Sequence, residues 1–274
     1  MGTTDARPLR RFDGRVCLVT GSTGIAAAAA RRLAAEGARV FVVSRTEAHC
    51  ADLVQQLAMT GAEAAYAATD LTEDDAAVDA VAACAARFGR IDGVFNVAGG
   101  SGRRFGDGPV HEASPAGWDA TLDLNARSLF LVCRAAVGQM LTQGPDADGS
   151  RGAILNMSSV LATSPSPRYF ATHAYAAAKG AIESLTRAMA ASYASQGIRV
   201  NAVAPSLTLT PMAGRAAGDP HTLAYATWKQ PLVGGFLAAE DISGAAAFLL
   251  SGDSRAVTGQ VLAIDGGWSV TEAP

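Results

Sequence analysis

The sequence predicts an α/β chain in which parallel strands form one sheet and helices cover both of its faces. Short runs rich in Val, Ile and Leu alternate with Ala-rich segments of helical period along most of the chain. Strand-like runs are followed by helix-like ones, which is what parallel pairing needs, because the chain must cross back before the next strand. The strand-like runs are also apolar at successive positions, as strands buried on both faces are.

In order, residues 15–20 read as the first strand and 25–36 as its helix. Residues 39–43, 47–59, 64–69 and 73–88 then read as strand, helix, strand and helix. Further strands are expected at 91–97, 153–157, 198–204 and 260–264, with long helices at 118–140 and 173–195. Seven such strands make a Rossmann-like, doubly wound parallel sheet, whose ligands sit at the carboxyl ends of the strands where strand order reverses. Loops rich in Gly, Pro and Asp fall at 99–109, 143–152, 164–168 and 205–220, with no internal repeat among them. Residues 1–274 are therefore expected to be a single domain with a flexible start at 1–13.

At 274 residues, 49% hydrophobic and 17% charged, the chain can bury a large core and lacks a disordered composition. Its net charge of -3, with acids and bases interspersed, offers no footprint for nucleic acid or for an anionic membrane. Cys17, Cys50, Cys84 and Cys133 are scattered, form no CxxC pair and have no histidine at ligand spacing, so they read as buried thiols and no metal is expected. No stretch approaches the roughly 18 apolar residues of a membrane helix, and no signal peptide is apparent; a cytoplasmic location is the expectation.

The first candidate site is the run Val19-Thr20-Gly21-Ser22-Thr23-Gly24-Ile25-Ala26-Ala27, between the first strand and the first helix. Glycines there let backbone N–H groups approach a pyrophosphate at a helix N-terminus, although a glycine turn is also ordinary punctuation. The end of the second strand adds weight. A free ribose 2′-hydroxyl is usually held there by Asp or Glu, about 20 residues past the first glycine. Here the sequence reads Val43-Ser44-Arg45-Thr46. Arg45 with two hydroxyl neighbours suits a 2′-phosphate, a charge-assisted contact worth about 1.5–3 kcal/mol. NADP(H) is therefore expected over NAD(H), which stays possible; pairing of Arg45 with Glu47 is the plain alternative. Asp70, beside Leu71, suits the adenine amino group or simply opens a helix.

The second candidate site is Tyr175 and Lys179, four residues apart and so on one face of a helix. A free tyrosine has a pKa of about 10, and a neighbouring ammonium favours its phenolate, which suits acid/base work. Asn96-Val97-Ala98-Gly99, Asn125, Ser158-Ser159, Asn201-Ala202-Val203-Ala204-Pro205 and Asp265-Gly266-Gly267 complete the pattern.

Together these ordered motifs resemble the single-domain short-chain dehydrogenases/reductases over nearly the whole chain, from about Gly14 to Trp268. The resemblance implies a carbonyl–alcohol oxidoreductase with Tyr175 as acid/base and Lys179 lowering its pKa and holding the nicotinamide ribose. Ser159 would orient the substrate oxygen and Asn125 would support a proton-relay water. It further implies a cofactor envelope of Gly21, Ser22, Thr23, Gly24, Ile25, Ser44, Arg45, Thr46, Asp70, Leu71, Asn96, Ala98, Gly99, Tyr175, Lys179, Pro205, Thr208 and Thr210. A variable substrate loop near 205–230 and a homotetramer (or dimer), built partly from the long helices after the fourth and fifth strands, follow in the same way.

Three departures bear on that pattern. The glycine loop is one residue shorter than TGxxxGIG and carries Ala26 where the last glycine is expected; read as TGxxGxxA it resembles the extended two-domain relatives, which a chain ending its last strand near residue 264 does not match. The stretch from Ser159 to Tyr175 is about three residues longer than in the family's common pattern. Ser159 is preferred over Ser158 because it precedes Val160-Leu161-Ala162 in the family's SSxxG-like register, and neighbours at a strand end point opposite ways, so only one can face the tyrosine. Ser206 replaces a glycine, so a turn that needed positive φ would have to differ.

Arg103 and Arg104 could meet an anionic substrate group or be solvated loop charges, and His173 could polarise a hydroxyl or merely pack. The leading expectation is interconversion of a small-molecule carbonyl and alcohol. A non-catalytic dinucleotide-binding regulator and a reductase of carrier-bound β-ketoesters are the alternatives.

Overall fold

The computed structural model describes residues 9–272. In chain order the strands are β1 (Val16–Thr20), β2 (Arg39–Ser44), β3 (Ala64–Ala68), β4 (Gly93–Asn96), β5 (Gly152–Met157), β6 (Ile198–Pro205) and β7 (Val261–Ile264). The α-helices are α1 (Gly24–Ala35), α2 (Glu47–Met59), α3 (Ala76–Phe88), α4 (Pro115–Leu122), α5 (Ser128–Thr142), α6 (His173–Tyr193), α7 (Gly214–Ala217), α8 (Pro220–Lys229) and α9 (Ala239–Leu250).

The strands form one parallel sheet of seven in the order β3-β2-β1-β4-β5-β6-β7, as the alternation of runs predicted. Period-two alternation divides its side chains between two cores. Cys17 and Val19 of β1 join α1, α2 and α9 on one face, whereas Val16 and Leu18 join α3, α5 and α6 on the other. This explains why VCLVT is apolar throughout, and why every position in it is buried. Strand order reverses between β1 and β4, and the loops leaving their carboxyl ends open the crevice that holds the site.

Several expected elements need correction. The single helix expected over 118–140 is two helices joined by a π-helical turn, Asp123–Arg127. The helix expected from residue 73 begins at Ala76, because Asp70 ties the preceding turn: its Oδ1 accepts from Thr72 N at 3.0 Å and from Thr72 Oγ1 at 2.8 Å. The helix α9 was not anticipated, although Ile242, Ala246 and Leu249 recur at helical spacing and all are buried.

Residues 1–8 of the expected flexible start lie outside the described residues. From Arg11 onward the chain is anchored: its guanidinium donates to both Glu36 oxygens, at 2.6 and 2.8 Å, and Phe12 is buried against α1. Among the described residues no helix is long and apolar enough to cross a membrane.

Candidate active site

A cleft of about 640 Å³ runs along the carboxyl ends of the strands. At one end is the glycine loop. Gly21 and Gly24 have φ of +98° and +54°, a region that favours glycine, and α1 starts at Gly24 with no acidic residue in its first turn. A Cβ on Gly21 would lie 3.0 Å from the Ala26 methyl, so the missing side chain at Gly21 accommodates the alanine that replaces the family's last glycine. Gly24 packs on Thr210 in the same manner: a Cβ there would stand 3.0 Å from Thr210 Cγ2. Ser22, Thr23 and Ile25 complete this wall.

Ser44, Arg45 and Thr46 line the cleft where β2 ends, facing Asp70, Leu71 and Thr72 from the end of β3. Arg45 pairs with Asp70 at 3.6 Å rather than with Glu47, and both side chains are substantially exposed, so the contact is loose. His49, in the first turn of α2, lines the same end and had not been singled out from the sequence.

Two asparagines differ from expectation. Asn96 is buried below the cleft and does not line it; its Nδ2 donates to Asn156 Oδ1 at 3.0 Å, inside a polar chain that continues through Asn156 to Thr186. Its place is therefore structural, and Ala98 and Gly99 form the floor instead. Asn125, fully buried beside the π-helical turn, spends its carboxamide on protein: Nδ2 donates to Gly100 O and Thr121 O, and Oδ1 accepts from Gly100 N. It fixes the Gly99–Gly100 turn, with no amide hydrogen left for a water. Thr20, which the motif run contained without a role, holds the rim by accepting from Val97 N and Ala98 N at 2.9 and 3.0 Å.

The two serines at the end of β5 point opposite ways, as the strand geometry requires. Ser158 Oγ donates to Glu183 Oε1 at 2.8 Å, in the packing under α6. Ser159 Oγ accepts from Leu161 N at 3.2 Å and acts on the Tyr175 phenol by favouring its ionised form. Tyr175 and Lys179 follow on α6 and line the cleft, the Lys179 Nζ 5.4 Å from the phenol ring centre. The start of α6 is set by Asp107, whose two oxygens accept from Ala174 N and Tyr175 N at 2.9 and 3.0 Å. This cap arrives from a loop far away in sequence, which is why the sequence did not reveal it. His173, which lies outside the cleft, accepts from Val110 N through Nδ1 at 3.0 Å; packing is its role.

Burial dominates the electrostatics of this group. It pushes the Tyr175 phenol up to about 12, against the hydrogen bond from Ser159 that lowers it, and pushes the Lys179 ammonium down to about 8. The phenol is thus raised, not lowered as expected, and the opposing contribution comes from Ser159 rather than Lys179. Nζ donates to Met157 O at 2.9 Å, one bond for three N–H groups.

The far wall comprises Pro205, Ser206, Thr208 and Thr210, all lining the cleft. Ser206 does not have positive φ, so no strain attends the absent glycine, and its buried hydroxyl has no hydrogen-bond partner in the protein. The segment expected as a loop over 205–230 is largely helical, in α7 and α8. The long stretch before Tyr175 packs against it: the Tyr169 and Tyr225 rings are 4.6 Å apart, Phe170 lies 6.2 Å from Trp268, and Trp268 Nε1 donates to Ser164 O at 3.2 Å. Phe170 and Trp268 therefore line the cleft, a contribution not legible in either segment alone.

An elongated anionic ligand fits these residues. The first turn of α1 is uncompensated by acid, two glycines clear the approach, and Ser206, which lines the cleft, has a buried hydroxyl with no partner in the protein. Comparison with known proteins points the same way. A family described as enoyl-(acyl carrier protein) reductase has a profile that matches residues 19–269. A short-chain type dehydrogenase/reductase of known structure from Mycobacterium ulcerans superimposes with a TM-score of 0.86 at 32% identity, over 96% of this chain and 92% of that one. The chain belongs to the short-chain dehydrogenases/reductases. Within this family it is 37% identical to an A-factor type gamma-butyrolactone 1′-reductase (1S-forming) of Streptomyces virginiae, over 93% of this chain and 96% of that protein. A structure from Beutenbergia cavernae, assigned as an NAD(P)-dependent gluconate 5-dehydrogenase and holding NADP, superimposes on this short-chain dehydrogenase/reductase with a TM-score of 0.84 at 33% identity, over 94% and 98% of the two chains.

Proposed function

We propose that this chain is an NADP(H)-dependent oxidoreductase that interconverts a small-molecule carbonyl and a secondary alcohol. The observation that carries the reading is the convergence of Tyr175, Ser159 and Lys179 on the cleft that begins at the glycine loop. A non-catalytic regulator would have no use for a phenol and an ammonium buried together at the cost of both pKa shifts.

The dinucleotide would be held by Gly21 to Ile25, Ser44 to Thr46, Asp70, Leu71, Ala98, Gly99, Pro205, Thr208 and Thr210, and when bound it supplies the hydride. The protein handles the proton. Tyr175 keeps its O–H at neutral pH, so in reduction it gives that proton to the substrate oxygen, and in oxidation its oxygen takes the proton back. Ser159 Oγ, whose lone pair is engaged by Leu161 N, would turn its hydrogen from the Tyr175 phenol to the substrate oxygen and orient it. The Lys179 ammonium stands beside the phenolate that each reduction leaves.

NADP preference rests on Arg45, since no Asp or Glu ends β2. Calorimetry with NADPH and NADH side by side is expected to give tighter NADPH binding, and Arg45→Ala should erase most of the difference, roughly ten- to a hundredfold for a charge-assisted contact. Equal binding of both dinucleotides by the unaltered protein would remove Arg45 from that role.

A homotetramer is part of the same reading. It is supported by Trp118, Phe130 and Leu141, large apolar side chains that are 38%, 45% and 40% exposed along α4 and α5. Light scattering on the purified protein should give four chain masses, and a monomer mass would dismiss the assembly.

A further inference from the structure

The cleft also gathers cations that the proton step does not use. Arg103, Arg104 and Arg215 all line it, together with Phe170, Met212 and Trp268. Arg104 lies over the Phe105 ring, 4.5 Å from its centre. Arg103 and Arg215 are exposed at the rim of the cleft they line, and partial burial, then the like charge of Arg215, hold Arg103 below the usual arginine range.

No salt bridge among the described residues engages either arginine. The nearby carboxylate, Asp107, is committed through both oxygens to the start of α6. Arg103 is also held in place. Its turn, Gly102–Phe105, is capped by Ser101 Oγ, and Gly102 sits so close to α4 that a Cβ would fall 2.0 Å from Thr121 Oγ1. One guanidinium hydrogen goes to Tyr169 O at 2.9 Å, which leaves most of the donor fork free. Tyr169 leads directly to Phe170 and Thr172 of the cleft, so the fork is tied to the segment that delivers Tyr175.

We infer that Arg103 and Arg215 form an anion subsite for the substrate itself, so that the substrate carries a carboxylate, sulfonate or phosphate at one end and its carbonyl or carbinol at the other. The anion relieves the repulsion between two like charges and accepts the bidentate bonds that arginine presents. Phe170 and Trp268 then cover the apolar connection between the two ends. This rests on the carbonyl–alcohol reading above and narrows its substrate class.

The test uses keto acids of increasing chain length and their methyl esters, assayed with NADPH on the full chain, on Arg215→Gln, and on Arg103→Gln with Arg215→Gln. Arg103→Lys serves as the charge-keeping control. One keto acid should exceed its ester in kcat/KM, and the double variant should lose that advantage by roughly ten- to a hundredfold, mainly in KM, with Arg103→Lys retaining part of it. Equal rates on acid and ester in the unaltered protein would overturn the inference. So would equal losses on both in the variants, or activity confined to pantetheine-phosphate thioesters, which would assign the arginines to a carrier. Turnover of the esters tests the hydride chemistry without the subsite. If neither acid nor ester is turned over, the carbonyl reading fails separately, and tryptophan fluorescence during keto acid titration decides the subsite: binding must be present and weaken in the double variant, or the subsite is abandoned.

Discussion

Tyr175→Phe is expected to remove carbonyl turnover almost entirely while leaving dinucleotide binding close to that of the unaltered protein. The substitution deletes one oxygen and keeps the ring, so packing in the partly buried site changes little. The loss is the proton that the substrate oxygen must receive and the partner of Ser159 Oγ. Loss of a positioned general acid costs about 10²–10⁴-fold, and neither Ser158, committed to Glu183, nor His173, outside the cleft, can replace it. The measurement is the rate of NADPH oxidation with an accepted carbonyl, read beside NADPH affinity by calorimetry. Full turnover by the phenylalanine variant would remove Tyr175 from the proton step, whereas lost affinity together with lost turnover would point to a damaged cleft.

The contrast between these residues shows what a sequence discloses and what it withholds. Tyr175 and Lys179 are legible because a helix fixes their relation: four residues apart is one face, whatever surrounds them. That only one of Ser158 and Ser159 faces the tyrosine is legible because neighbours at a strand end point opposite ways, and the SSxxG-like register selects Ser159. The sheet is legible for the same reason, since strands buried on two faces must be apolar at successive positions, as β1 is. For Asn96 and Asn125 the motif gives the position of an amide but not its partners. Asn96 turns into the packing with Asn156, and Asn125 closes on the Gly100 peptide.

Partners supplied by distant segments are the least visible. Asp107 caps a helix that begins 66 residues later, and the Phe170–Trp268 wall joins segments almost 100 residues apart. In both cases local periodicity holds no trace of the contact. The π-helical turn is hidden similarly, because Asp123 to Arg127 has ordinary helical composition and contains no proline or glycine to announce a break.

The second large effect concerns Lys179, and it appears in stability rather than rate. Its side chain is 3% exposed and burial pushes its pKa down to about 8, whereas the unfolded chain titrates near 10.4. Below pH 8 the folded and unfolded chains both carry the proton, and the cost of the buried ammonium is present in full. Between about 8 and 10.4 the folded protein has released a proton that the unfolded chain still binds, so stability rises with pH, by about 1.4 kcal/mol per unit for this one group. Lys179→Met lacks that titration. The stability of the unaltered protein relative to the variant should therefore climb by on the order of 3 kcal/mol from pH 7 to about 10.4 in urea denaturation series. The difference between the two proteins is the quantity to read, because every other titrating group is common to both and cancels. At any single pH the variant also loses the bond from Nζ to Met157 O, which offsets part of what it gains; the slope is free of that term. Parallel curves would show that Lys179 keeps an ordinary pKa and a solvated ammonium. A rising difference would show that the fold sustains an unfavourable charge beside Tyr175, and would tie that cost to the phenolate it serves.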